Sequence, residues 1–246
     1  VAGFIAASRG NHAEIMDFLR EASRNGYAGR ALQLLAALSE KDLRDTPSAV
    51  LADHLYNTDK DADAAGVLAP RVADEMLTPY RSFLQREIPA ADAAAFRGDP
   101  QRLAAWCRDS LTLRPELCTV SPEGVWRSRT ADRPSRAIFF VAAARSLGIP
   151  AWIDRVTGNL FYRHAGKDVP VDFDAAGSRE LETGRLKLNY APIPRLDDPE
   201  YFRHFSLSRF GGQSFSLLNY PDFGKWSELF RAPAELETGY YMLVTG

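Results

Sequence analysis

The sequence predicts an α+β protein, and three observations predict it. Apolar residues recur at helical spacing through about residue 147, then alternate with period two from Gly158 onward. Between the two regimes, "TADRPSRAIFFVAAARSLGIPAW", residues 130–152, reads as a buried helix with a well-made start, running into a Gly-Ile-Pro turn. The expected organisation is a helical region over 1–85, a core over 86–182, and a β-rich, sandwich-like unit over 183–246.

The first helix is expected in "NHAEIMDFLREASRNG", with Asn11 as N-cap and Glu14 completing a capping box. Ile15, Phe18, Leu19 and Ala22 share its apolar face, and Asn25-Gly26 ends it. "YAGRALQLLAALSE" repeats the pattern with Leu32, Leu35 and Leu38. A third helix follows Thr46-Pro47 and carries Val50, Leu51, His54 and Leu55. The aspartate-rich "NTDKDADAAG" reads as an exposed connection, because the glycine and glutamate of a calcium loop are misplaced. "RVADEMLTPYRSFLQREI" offers Val72, Met76, Tyr80, Phe83 and Leu84, with Pro79 as a break or kink. "DPQRLAAWCRDSLTL" opens with Asp99 as cap and Pro100 at the first helical position. Leu103, Trp106, Cys107 and Ser110 share a face there, so Cys107 reads as a small core residue rather than a nucleophile.

From Gly158, "NLFYR" and "DVPVDFD" are expected as strands joined by the hairpin "HAGK". "GRLKLNY", "FRHFSLSRF", "QSFSLLNY" and "GYYMLVT" continue the alternation, with Gly211-Gly212 as a turn. The chain opens at Val1 and closes on a strand-like segment, so it reads as part of a longer protein with further domains. That last strand is expected to offer an unpaired edge that invites pairing with another chain.

Composition excludes several classes. The 246 residues are 46% hydrophobic and 25% charged, which is ordinary for a globular protein. A net charge of -2 gives no reason to expect nucleic acid as a partner. No apolar run reaches the roughly 20 residues that a membrane helix needs. Cys107 and Cys118 are too few for a disulfide scaffold, although one bridge between them stays open.

Residues 121–174 carry the strongest signal. A loop leads to a capped apolar helix, a Gly-Ile-Pro turn, a strand, and a hairpin ending in acidic residues. "FVAAARSLGIPAWI", followed by "VTGNLFYR" and "DVPVDFD", resembles the transglutaminase-like core of the papain-like (cysteine protease) fold. The flanks "EMLTPYRSFL" and "GYYMLVTG" resemble multidomain transglutaminase-like proteins exported by Bacteroidetes. The resemblance implies a secreted, periplasmic or cell-surface protein, no cofactor and no metal.

In active members of that family the helix start carries a cysteine, where unpaired N–H groups and the dipole favour the thiolate. Here that place falls on Arg133. The histidine place falls near Gly158 or Asn159, and the aspartate survives as Asp172 or Asp174. The resemblance therefore implies a core stripped of its Cys-His pair. The nearby residues offer only weak substitutes. Ser135 reads as a first-turn helix residue, Cys118 as a loop thiol, and His164, beside Asp168 or Asp172, as a turn histidine. The principal alternative is a cysteine-type hydrolase or acyltransferase with a rearranged site.

Trp126, Arg127, Arg129, Arg133 and Arg136 crowd the loop and the helix start. Arginine forks beside an indole suit a carboxylate, a phosphate or a sugar face, so a carbohydrate or peptide ligand is expected. The competing structural reading pairs Asp132 and Asp154 with these arginines and places Trp126 in the core. The expectation is a catalytically inactive binding or scaffold module.

Overall fold

A computed structural model describes residues 1–115, 118–174 and 182–246. The chain divides into two compact units. One comprises Val1–Ile153 and the segment beginning at Leu160; the other comprises Asp154–Asn159 and the residues up to Gly246. Helices and strands are mixed as expected for an α+β protein. The expected boundary at 182–183 borders residues 175–181, which lie outside the described residues.

The first unit begins with α1 (Ala2–Ser8), α2 (His12–Arg24), α3 (Ala28–Ala36), α4 (Glu40–Asp45) and α5 (Ser48–Tyr56). Ile15, Phe18, Leu34, Leu35, Leu51 and Leu55 fill their common core. Val50, Leu51, His54 and Leu55 are all buried, as the spacing predicts. The capping box expected at Asn11 and Glu14 is not formed. Asn11 instead donates to the carbonyls of Leu43 and Thr46, and the Glu14 carboxylate accepts the N–H of Ser48 at 2.7 Å. Glu14 thus caps α5 from another helix, which orders two elements at once. The capping box of this region is Ser39 with Asp42, at the start of the unpredicted α4. Asp42 is fully buried and also receives the Arg71 guanidinium.

The second half of this unit holds α6 (Tyr80–Glu87), α7 (Ala90–Gly98), α8 (Gln101–Ser110), α9 (Pro122–Ser128) and α10 (Arg133–Ser146). Residues 71–79 form no helix, so the periodicity through Val72 and Met76 misleads, and Met76 is exposed. The Asp53 carboxylate, from α5, accepts the N–H groups of Arg81 and Ser82 and caps α6. In α8, Leu103 and Cys107 are buried, but Ser110 is exposed where a shared face was expected. The helix α10 is buried on all sides from Ile138 to Ser146. Each of its Phe and Ile side chains contributes roughly 1.5–3 kcal/mol by leaving water. It stops where Gly148, at φ 78°, lets the Ile149 N–H return to the Ala144 carbonyl.

Short strands β1 (Thr112–Leu113) and β2 (Thr130–Ala131) pair in parallel beside α9 and α10. The meander β3 (Ala151–Ile153), β4 (Leu160–His164) and β5 (Lys167–Val171) follows in antiparallel order. Its expected hairpin is present, with Ala165 and Gly166 both at positive φ, as a two-residue turn of this kind requires.

The second unit holds β6 (Thr183–Leu186), β7 (Phe205–Phe210), β8 (Phe215–Leu217), the turn-long α11 (Trp226–Leu229), β9 (Ala234–Glu237) and β10 (Tyr241–Thr245). One sheet has the order β10-β7-β8 and another pairs β6 with β9. Tyr201, Phe205, Leu207, Leu218, Phe230 and Leu236 form its core, with Val156 packed against them. Among the described residues, no helix is long and apolar enough to cross a membrane.

Candidate functional site

Asp132, Arg133, Ser135 and Arg136 lie at the start of α10, His164 and Asp168 lie at the β4-β5 hairpin, and no catalytic pair forms among the described residues. Asp132 caps that helix by accepting the Ser135 N–H at 2.7 Å. Ser135 is fully buried, and its hydroxyl accepts the Val120 N–H at 2.8 Å. The helix start therefore already holds a carboxylate, and its serine ties down the preceding loop. Arg133, the first residue of the helix, is exposed.

No base reaches a nucleophile among the described residues. His12 bonds the Arg9 carbonyl, His54 the Thr78 carbonyl, and His204 accepts the Glu200 N–H. His164 is exposed at the end of β4, opposite Lys167. Its expected partners are engaged elsewhere. Asp168 binds Arg163 at 2.6 Å, and Asp172 accepts the Asp174 N–H at 2.9 Å. Both cysteines are free thiols, Cys107 buried and Cys118 exposed. Burial drives the Cys107 thiol far above its ordinary range, which suits a core residue. Gly158 sits at φ 73°, and the Asn159 N–H donates to the Thr157 hydroxyl.

The arginines are arranged differently from either expectation. Asp132 and Asp154 do not pair with them; Asp154 accepts from the N–H and hydroxyl of Thr157. Instead, three guanidiniums lie on aromatic rings. Arg129 sits 3.8 Å from the Trp126 ring centre and 4.8 Å from that of Trp106. Arg127 lies 4.8 Å from Phe83, and Arg136 lies 4.3 Å from Phe173. The two indoles are themselves stacked at 5.2 Å, with Phe139 beneath Trp126. Trp126 is half-buried, between the core and ligand-facing readings.

Local folding explains the placement of Arg129. It ends α9 in the left-handed region, φ 55°, a conformation that costs a non-glycine residue roughly 1–2 kcal/mol. Its N–H bonds the Val125 carbonyl, and its own carbonyl accepts from Thr112 in β1. These two bonds hold the turn that lays its side chain back over Trp126. Burial lowers the pKa of Arg129 and Arg136, and the Asp174 carboxylate, 3.7 Å from Arg136, acts in the opposite sense. Among the described residues, Arg127, Arg129 and Arg133 have no carboxylate partner.

The sequence reading missed Phe83, Trp106 and Phe173 as ring partners, since each counted there as an apolar position on a helix or strand. It also missed the buried polar centre of this unit. Arg81, fully buried, donates to the carbonyls of Arg145 and Val67 at 3.0 and 2.7 Å. Arg145 donates to the carbonyls of Ala69, Arg71 and Ala151. Burial pushes the Arg81 guanidinium down to about 10. Comparison with protein-family models, curated proteins and solved structures finds no match.

Proposed function

We propose that this chain is a transglutaminase-like module that has lost acyl transfer and serves in binding or assembly within a secreted or cell-surface protein. The papain-like reading is supported by a buried helix, α10, leading through Gly148 into the antiparallel meander β3-β4-β5. Loss of catalysis is supported by Arg133 at the nucleophile place and by four histidines that engage neither a cysteine nor a serine among the described residues.

One observation carries the binding reading. Arg127 and Arg129 lie over aromatic rings, yet neither has a carboxylate to satisfy it among the described residues. A guanidinium fixed on a ring keeps its edge donors oriented, so less freedom is lost when an anion docks. The ligand class is a carboxylate-bearing chain, and uronate oligosaccharides and acidic peptides are its two sources.

Calorimetric titration with an oligogalacturonate and with an oligoglutamate tests this and separates the sources. The double variant Arg127→Ala/Arg129→Ala should lose about 1.5–3 kcal/mol of binding per lost charge-assisted contact. Its stability should fall by only about 1 kcal/mol per stacked pair. Binding of neither anion would refute the binding reading. The exposed thiol of Cys118 favours the alternative, a cysteine-type enzyme with a rearranged site. Amine incorporation abolished by Cys118→Ala would establish that alternative instead.

A further inference from the structure

Two phenylalanines of the second unit stand in water in a backbone conformation that suits glycine. Phe202, at φ 63°, and Phe223, at φ 59°, both lie in the left-handed region, where a bulky side chain is an outlier. Each is the third residue of a tight turn. In residues 200–203 the Arg203 N–H returns to the Glu200 carbonyl, and in residues 221–224 the Gly224 N–H returns to the Pro221 carbonyl. With a positive φ, that third position ordinarily falls to glycine or asparagine. Phe202 and Phe223 are 42% and 63% exposed, so burial does little to offset the strain.

The two turns are neighbours on a packed footing. The Phe223 N–H donates to the carbonyl of Tyr201, the residue before Phe202, and the Tyr201 N–H donates to the Gly224 carbonyl at 2.9 Å. Tyr201 is fully buried, and its hydroxyl donates to the Leu218 carbonyl at 2.6 Å and accepts the Leu207 N–H at 3.1 Å. A Cβ at Gly224 would come within 3.0 Å of the Leu229 side chain, so the glycine of the second turn is fixed at its fourth position. Backbone strain held in place by its surroundings collects at functional sites. The Phe202 ring leans edge-on against Tyr201 at 4.5 Å, and the two phenylalanine rings make no contact with each other among the described residues. Charged residues bracket both. Arg203 follows Phe202, Asp222 precedes Phe223, and Lys225 lies two positions beyond it, all three exposed.

We propose that Phe202 and Phe223 are stacking platforms for a neutral glycan built of equatorially substituted sugars. The flanking charges select this class. Glu200 and Asp222 stand against Arg203 and Lys225, so an ion of either sign meets repulsion as well as attraction. A protein interface gathers apolar residues at its centre and depletes charge there, whereas these rings are separate and each has charged neighbours. A lipid surface would draw the same charges out of water. A sugar satisfies both kinds of group at once. Its flat C–H face lies on the electron-rich face of an aromatic ring, and its hydroxyls donate and accept, so acids and bases alike can pair with them. Backbone held in a fixed turn sets each ring before the ligand arrives, so less freedom is lost on binding.

Calorimetric titration with cellohexaose, an uncharged chain of such sugars, is the test, read beside the melting temperature. Wild type should bind, and Phe223→Gly should bind at least about tenfold more weakly. Glycine relieves the left-handed strain at this exposed position, so Phe223→Gly should melt no lower than wild type. Lost binding with unchanged or raised stability separates a ligand role from a structural one. Phe202→Gly should weaken the same binding, but its ring also packs on Tyr201, which makes Phe223→Gly the cleaner variant. A wild type that does not bind cellohexaose, equal binding by Phe223→Gly, or a clear fall in its melting temperature would overturn the proposal. So would partition of wild type, but not of Phe223→Gly, onto phosphatidylcholine vesicles, which would assign the rings to a lipid surface. Cellohexaose carries no carboxylate, so this inference and the arginine reading fail separately.

Discussion

Arg81 and Arg145 lie buried in the first unit with their donors turned to backbone carbonyls, whereas Arg127 and Arg129 lie on aromatic rings with no acid beside them among the described residues. All four sit in or beside helices, and residue type does not distinguish them. What differs is the surrounding backbone. The helical turn Ala64–Leu68 and the chain beyond its end leave the carbonyls of Val67, Ala69 and Arg71 facing inward, where only buried donors can meet them. The two buried guanidiniums do so, and Arg81 bonds through all three of its nitrogens and Arg145 through Nε and Nη1. The ring-stacked pair faces no such demand, which is why it suits an external anion. One set completes the fold, and the other is left over from it.

Removing a member of the buried set should have the largest effect. Arg81→Met strands the carbonyls of Val67 and Arg145 in the core, and each unsatisfied group costs about 1–3 kcal/mol. The expected loss is about 3 kcal/mol or more, read as a melting-temperature drop of about 2–4 °C per kcal/mol. Arg81→Lys should recover little, because one ammonium cannot span both carbonyls as the planar fork does. An Arg81→Met variant that melts with the wild type would show that the carbonyls find other donors, and the contrast between the two arginine sets would collapse.

His54 sharpens the same comparison through pH. Its Nε2 lies 3.0 Å from the Thr78 carbonyl, which can only accept, so Nε2 carries the proton. Its Nδ1 then accepts from the Arg81 Nε–H at 3.4 Å. Protonating Nδ1 would set a second cation against Arg81. Burial first, and Arg81 second, hold His54 well below its ordinary range. A histidine depressed in the folded state stabilises the protein fully above its unfolded pKa. That stability is lost as pH falls below about 6.5, at up to about 1.4 kcal/mol per pH unit. Stability should therefore decline from pH 6.5 towards 5 with a slope near one proton, and His54→Gln should remove that slope. An unchanged slope in the variant would assign the acid sensitivity elsewhere.

How much of this was legible in the sequence depends on the range of the interaction. Helix faces such as Val50, Leu51, His54 and Leu55 follow from spacing alone, and so does the hairpin through Ala165 and Gly166. The cap of α10 was legible because Asp132 bonds a residue three positions away. The caps of α5 and α6 were not, since Glu14 and Asp53 reach them from other helices, 34 and 28 residues away in the chain. Asn11 and Glu14 have the spacing of a capping box but a stronger use across the bundle. The arginines beside α10 were legible as a group. Their ring partners were not, because a buried Phe83 or a half-buried Trp106 has the same sequence signature whether or not a guanidinium lies on its ring.

The smallest expected effect belongs to Arg133, and it bears on the exposed side of the comparison. At the first residue of α10 this guanidinium meets the positive end of the helix dipole, at a cost of roughly 0.3–1 kcal/mol. Arg136 lies one turn further on and adds like-charge repulsion. An acid paired with Arg133 would offset both, but each nearby candidate is engaged elsewhere. Asp132 holds the Ser135 N–H, Asp154 holds Thr157, Asp172 holds the Asp174 N–H, and Asp174 lies against Arg136. Arg133→Ala therefore strands no buried carboxylate. Its stability should stay within about 0.5 kcal/mol of wild type, as for an ordinary surface change, and could rise slightly as the repulsion is removed. If Arg133 extends the anion-binding face, affinity for oligogalacturonate or oligoglutamate should fall while the melting curve holds still. A melting temperature several degrees lower would mean that Arg133 completes an internal ion pair. The exposed arginines would then be structural, like the buried ones.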